Sequence, residues 1–122
     1  MVSKLIELTI LKSVCSQLPD QAARQKFWEE SLTLSIQSLE ASVNRFKDAI
    51  QSRNSAELGQ AAHKIVGTIS FVGVKALSER LLMLQDECDE NQISWPFAEE
   101  EYFLQQFALI SKALNEAKNN PP

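Results

Sequence analysis

Apolar residues recur along this chain at helical spacing almost throughout. Leu5, Leu8, Leu11, Cys15 and Leu18 form a first stripe, widened by Ile6, Ile10 and Val14 and stopped at Pro19-Asp20. Recurrence at three and four residues places side chains on one helix face, so this segment reads as a short helix covering one end of a bundle. From about Gln21 to Arg53 a longer helix is predicted. Its apolar residues Leu32, Ile36, Leu39, Val43, Phe46 and Ile50 are spaced 4-3-4-3-4, a heptad-like seam suited to shallow-angle packing. Phe27 and Trp28 stand near its start and read as core or rim residues, or as an aromatic docking point.

Ser52-Arg53-Asn54-Ser55 breaks the pattern, and Asn54 or Ser55 can cap the next helix. That helix carries Leu58, Ala61, Ala62, Ile65, Ile69 and Val72, and ends near Gly73, where a left-handed residue is wanted. Val74, Leu77, Leu81, Leu84 and Cys88 follow after a very short turn, which makes the two helices antiparallel neighbours. Asp89 to Ser94 is polar loop. Ser94 or Trp95 is expected to cap the last helix, with Pro96 in its first turn and Glu99, Glu100 and Glu101 at the positive end of its dipole. Phe97, Leu104, Phe107, Ile110, Leu114 and Ala117 supply its apolar face, and Asn119 to Pro122 a frayed tail. The expectation is an all-α chain: an antiparallel four-helix bundle with an additional short N-terminal helix, residues 1–122 forming one domain.

Composition narrows the function. The net charge is -4, with no basic cluster to track a phosphate backbone, so nucleic acid is not an expected partner. No apolar run approaches the roughly 20 residues of a membrane span. Met1-Val2-Ser3-Lys4 leads into an amphipathic segment rather than a signal peptide. Cys15 and Cys88 are far apart and form no metal-binding spacing, so they read as reduced thiols of a cytoplasmic protein. A single histidine cannot by itself be a zinc site. No GxGxxG or GxxxxGK loop is present to cradle a nucleotide.

That one histidine, His63, lies off the apolar stripe. Its helical neighbours four residues away are Gly59 and Gly67, with Ser70 a further turn along. Glycine costs roughly 1 kcal/mol in a helix interior, so two beside an exposed imidazole call for a reason: access for another molecule, or, equally for Gly59, fraying or close packing. Gly73 reads as a structural cap. Gln85 lies at the edge of the buried stripe on the following helix, within plausible reach of His63 or as a plain rim residue. Lys64 reads first as a solvated lysine, because sequence neighbours point about 100° apart on a helix.

His63 with Gly67 at +4, Gly73 at +10 and Gln85 at +22 resembles the pattern of histidine-containing phosphotransfer (HPt) domains, four-helix modules of multistep phosphorelays. The motif resemblance covers about residues 56 to 88. It departs from the family at Val66, where a lysine is usual. The resemblance implies a phosphoryl group accepted on His63 from a receiver-domain phosphoaspartate and relayed to another receiver domain, without ATP binding and so without autonomous kinase activity. It implies that the side-chain oxygen of Gln85 accepts a hydrogen bond from one ring nitrogen while the other attacks. Gly67, Ser70 and cationic support from Lys64 complete the expected site. No cofactor is expected on this chain, the Mg2+ belonging to the receiver partner, and a monomer suffices. The alternative is a catalytically silent helical module that binds a receiver or another helical partner. The heptad seam alone would suit a self-associating structural protein.

Overall fold

The computed structural model describes residues 6–122; the readings made on Met1 to Leu5 lie outside them. Among the described residues the chain is all-helical, with five helices and no strand: α1 (Thr9–Ser16), α2 (Gln21–Ser52), α3 (Ser55–Phe71), α4 (Lys75–Asp89) and α5 (Glu100–Lys118). No helix among them is long and apolar enough to cross a membrane.

Helix boundaries follow local chemistry. The Asp20 carboxylate accepts a hydrogen bond from the Ala22 amide at 3.1 Å, and the Asn54 side chain accepts one from the Glu57 amide at 3.1 Å. Each satisfies an amide that a helix start leaves without a backbone partner. α2 stops at Arg53, whose φ of 53° turns the chain left-handed. Between α3 and α4, Gly73 takes φ 81°, as the short turn required.

Pairs of contacting residues define how the helices run. Between α3 and α4 the pairs are Gly59 with Cys88, His63 with Gln85, and Ser70 with Ser78. As one number rises the other falls, so the helices are antiparallel. Between α2 and α3 the pairs are Arg45 with Glu57 and Ser38 with Thr68. Between α2 and α5, Trp28 Nε1 donates to the Ala117 carbonyl at 2.7 Å, and the Phe46 ring meets that of Phe107 edge-on at 5.1 Å. Those pairs are antiparallel too. The buried side chains of all five helices join in one core.

The seam of α2 is covered by α3 and α5 of the same chain, and it is slightly rotated from expectation. Trp28, Leu32, Ile36, Leu39, Ser42, Phe46 and Ala49 are buried, while Val43 and Ile50 are half-buried. Trp28 is therefore a core residue rather than a docking aromatic.

Two expectations need correction. Ile10 and Val14 do not widen a buried stripe: they are 62% and 40% exposed. α1 packs chiefly on α2, and one neighbour covers only the narrow line of Leu8, Leu11 and Cys15. The last helix starts at Glu100, not near Ser94 or Trp95, and Pro96 is outside it. Trp95 and Phe97 both pack against the core, their rings 5.9 Å apart. On a helix, residues two apart point about 200° from each other, so both could not reach the core; the irregular segment allows it. Phe103, absent from the expected apolar face, is completely buried between Phe46 and Phe107.

The turn between α3 and α4 is tied down by the segment before α1. The Glu7 amide donates to the Val72 carbonyl at 2.8 Å. A Cβ on Gly73 would stand 2.8 Å from Glu7 Cβ and 2.9 Å from its carbonyl oxygen. Gly73→Ala thus combines left-handed strain with a backbone clash, and is expected to destabilise the fold by about 1–3 kcal/mol. Urea denaturation checks this; an unchanged midpoint would mean that the turn is not held in this conformation.

Candidate functional site

α3 buries Leu58, Ala61, Ala62, Ile65 and Ile69 and leaves His63 exposed. The antiparallel register then sets Gln85, half-buried on α4, directly across from the imidazole. His63 Nδ1 lies 3.3 Å from Gln85 Oε1. A carbonyl oxygen only accepts, so Nδ1 carries the proton and donates it. In the neutral form of the ring Nε2 then keeps its lone pair, and it has no hydrogen-bond partner among the described residues. A neutral imidazole fixed in one tautomer, with its second nitrogen facing solvent, is a nucleophile ready for an electrophile brought by another molecule.

The two glycines flanking His63 have different roles. At Gly67 an added Cβ would meet nothing within 4 Å, so the surface beside the ring is open there. Gly59 is buried, and its Cβ would come 3.1 Å from Cys88 Cβ. Of the alternatives open from sequence, close packing of α3 on α4 is what Gly59 provides, and the access reading is corrected at that position.

The other residues divide. Lys64 is exposed, makes no ion pair among the described residues, and points about a quarter-turn away from His63 toward the α2 side. Ser70 is exposed, with its hydroxyl 3.5 Å from that of Ser78, which itself donates to the Val74 carbonyl. Ser70 therefore belongs to the α3–α4 seam, two turns from the ring. Val66 is half-buried against the core.

One nearby ion pair joins α2 to α3. Arg45 is paired with Glu57 at 3.1 Å and donates to Gln60 at 3.4 Å, one turn before His63. This cluster was not legible from sequence, because its members lie on two helices whose register no spacing encodes. No group of three or more His, Cys, Asp or Glu that could hold a metal ion occurs among the described residues.

Against protein-family models, curated proteins and solved structures, the chain gives no match.

Two stability measurements test this description. Replacing glycine by alanine in a helix gains up to about 1 kcal/mol where nothing is in the way. Gly67→Ala is expected to show that gain. Gly59→Ala is expected to fall short of it, because Cys88 and its helix must give way. Equal midpoints for the two variants would put Gly59 on the open face after all.

The Cys88 thiol is pushed up from 9.0 to about 11, chiefly by burial, with Asp89 and Glu87 adding repulsion of the thiolate. The folded chain therefore holds this proton more tightly than the unfolded chain. Its contribution to stability is complete below pH 9 and falls away as pH rises toward 11. Denaturation of wild type and Cys88→Ala between pH 8 and 11 should show the alkaline loss shrinking in the variant; parallel curves would contradict it.

Proposed function

We propose that this chain is a histidine phosphotransfer module, with α2 to α5 forming an antiparallel four-helix bundle and α1 closing one end. In this reading it is one domain and works as a monomer in the cytoplasm, shuttling a phosphoryl group between receiver domains. The observation that carries the proposal is the bond between His63 Nδ1 and Gln85 Oε1 at 3.3 Å, beside the open surface at Gly67.

The chemistry is a balanced exchange. Nε2 of neutral His63 attacks the phosphorus of an aspartyl phosphate on a receiver domain. The N–P bond forms as the P–O bond to the aspartate breaks, and the electron pair leaves on the carboxylate. The Nδ1 proton stays on the ring, and the Gln85 Oε1 that accepts from it offsets the positive charge developing on the imidazole. A second receiver aspartate reverses the steps. Phosphoryl transfer depends on positioning and charge neutralisation more than on covalent assistance. The magnesium ion that shields the phosphoryl oxygens belongs to the receiver.

Val66 supports the alternative of a silent module that binds a receiver or other helical protein without carrying phosphate. It is apolar and half-buried where a lysine would offset phosphate charge, and Lys64 is turned toward α2.

His63→Gln should abolish acid-labile, alkali-stable labelling by a phosphorylated receiver while shifting stability by no more than about 0.5 kcal/mol, as for other surface changes. Gln85→Ala should slow transfer without abolishing it, because Nε2 remains. Label on His63→Gln would put the acceptor elsewhere. A Gln85→Ala single-turnover rate equal to wild type would reduce Gln85 to a rim residue.

A further inference from the structure

Charge is distributed unevenly around His63. On α3 the residues within one turn of it on either side, Gly59 to Gly67, include one cationic side chain, Lys64, and no carboxylate. Lys64 is exposed, makes no ion pair among the described residues, and is turned toward α2. On α2, Arg45 is joined to Glu57 at 3.1 Å, so that pair brings little net charge.

α4 is the opposite. The five residues after Gln85, Asp86 to Glu90, hold four carboxylates and no cation. Asp86 and Asp89 are both exposed, and neither is in an ion pair among the described residues.

Both stand close to the ring. Asp89 is four residues from Gln85, and positions four apart on a helix differ by only about 40°. Asp89 is therefore on the edge of α4 that Gln85 occupies, one turn on. The antiparallel pairing sets that turn beside Gly59: Asp89 Oδ1 is 3.8 Å from where a Gly59 Cβ would stand. Cβ atoms four residues apart on a helix are about 6 Å apart, so this carboxylate lies within about 10 Å of the His63 Cβ. Asp86 adjoins Gln85 itself, their Cα atoms about 3.8 Å apart.

A phosphoryl group on a side chain carries about two negative charges near pH 7. Like charges about 8 Å apart, with water and salt between them, shift an equilibrium by about a factor of two. We infer that Asp86 and Asp89 disfavour the phosphorylated form of His63 and displace each transfer equilibrium toward the receiver aspartate. Lys64 acts in the opposite sense from the far flank of α3. The inference rests on the relay reading of His63. It adds the direction in which the site is biased and the side chains that bias it. In the favoured step a receiver carboxylate oxygen bonds to phosphorus as the N–P bond breaks, and the electron pair returns to Nε2. Neither aspartate touches the reacting atoms; both act through their field, and His63 passes its phosphoryl group on rather than storing it.

The test measures the transfer equilibrium with one purified receiver domain, phosphorylated with acetyl phosphate and then freed of it. Single-turnover rate constants for transfer to His63 and back give the equilibrium constant as their ratio, and the receiver's own energetics cancel between variants. At 0.1 M salt, Asp86→Asn and Asp89→Asn should each raise the share held on His63 about twofold, and the double variant about fourfold. Lys64→Gln should lower it about twofold, and Glu29→Gln, roughly 20 Å away along α2, should leave it unchanged. At 1 M salt, where the Debye length is about 3 Å, the differences should largely disappear. Circular dichroism checks that each variant is folded. A double variant with the wild-type equilibrium at 0.1 M salt would overturn the inference while leaving the relay reading intact. So would a gain that persists undiminished at 1 M salt, since a rearranged site and not a field would then be responsible. No labelling of wild type by the phosphorylated receiver would overturn the relay reading beneath it.

Discussion

Everything at the candidate site depends on the register between α3 and α4. His63 and Gln85 are 22 residues apart in sequence, and neither helix alone brings them together. Two glycines set that register from its ends. Gly73 lets the chain reverse within a turn too tight for a side chain, with the Glu7 backbone lying against it. Gly59 lets Cys88 come close enough for the helices to stay in contact a full turn beyond His63. A shift of one residue in either helix would rotate Gln85 by about 100° and leave the imidazole without its acceptor.

This arrangement divides the labour between core and surface. The apolar stripes of α3 and α4 hold the hairpin, and the ring is held only by a hydrogen bond at its edge. A bond to an exposed group contributes modestly to stability, about 1 kcal/mol at most in such settings. Its value lies in choosing a tautomer. The site can therefore be open to a large partner without the fold depending on it, and the backbone beneath the ring stays rigid because Ala61, Ala62 and Ile65 are completely buried.

Small residues recur wherever α3 meets its neighbours. Ser42 and Ala49 of α2, Gly59, Ala61 and Ala62 of α3 are buried, and each shortens the distance at which two helices can pack. The bulky residues, Trp28, Phe46, Phe103 and Phe107, fill the side between α2 and α5. α3 thus sits close to both α2 and α4. Two polar edges, Arg45 with Glu57 and His63 with Gln85, line its outer surface.

Periodicity in the sequence determined the number of helices, most of their boundaries and, apart from Ile10, Val14 and Phe103, the inward face of each to within a small rotation. Those features are local: burial repeats every three to four residues, and the caps Asp20, Asn54 and Gly73 act within a turn. The stripe on α4 left Gln85 within reach of His63 or as a plain rim residue, and only the family resemblance chose the first. The start of α5 was misjudged because Ser94, Pro96 and Glu99 to Glu101 have the composition of a helix start, yet Trp95 and Phe97 both reach the core only from irregular chain. Gly59 and Gly67 were equivalent in the sequence, each one turn from His63, and only the tertiary structure separated them. One faces Cys88 and the other faces solvent, because a neighbouring helix passes on one side and nothing does on the other. Spacing along one helix fixes which way a side chain points; what it meets there is decided by the helix packed against it.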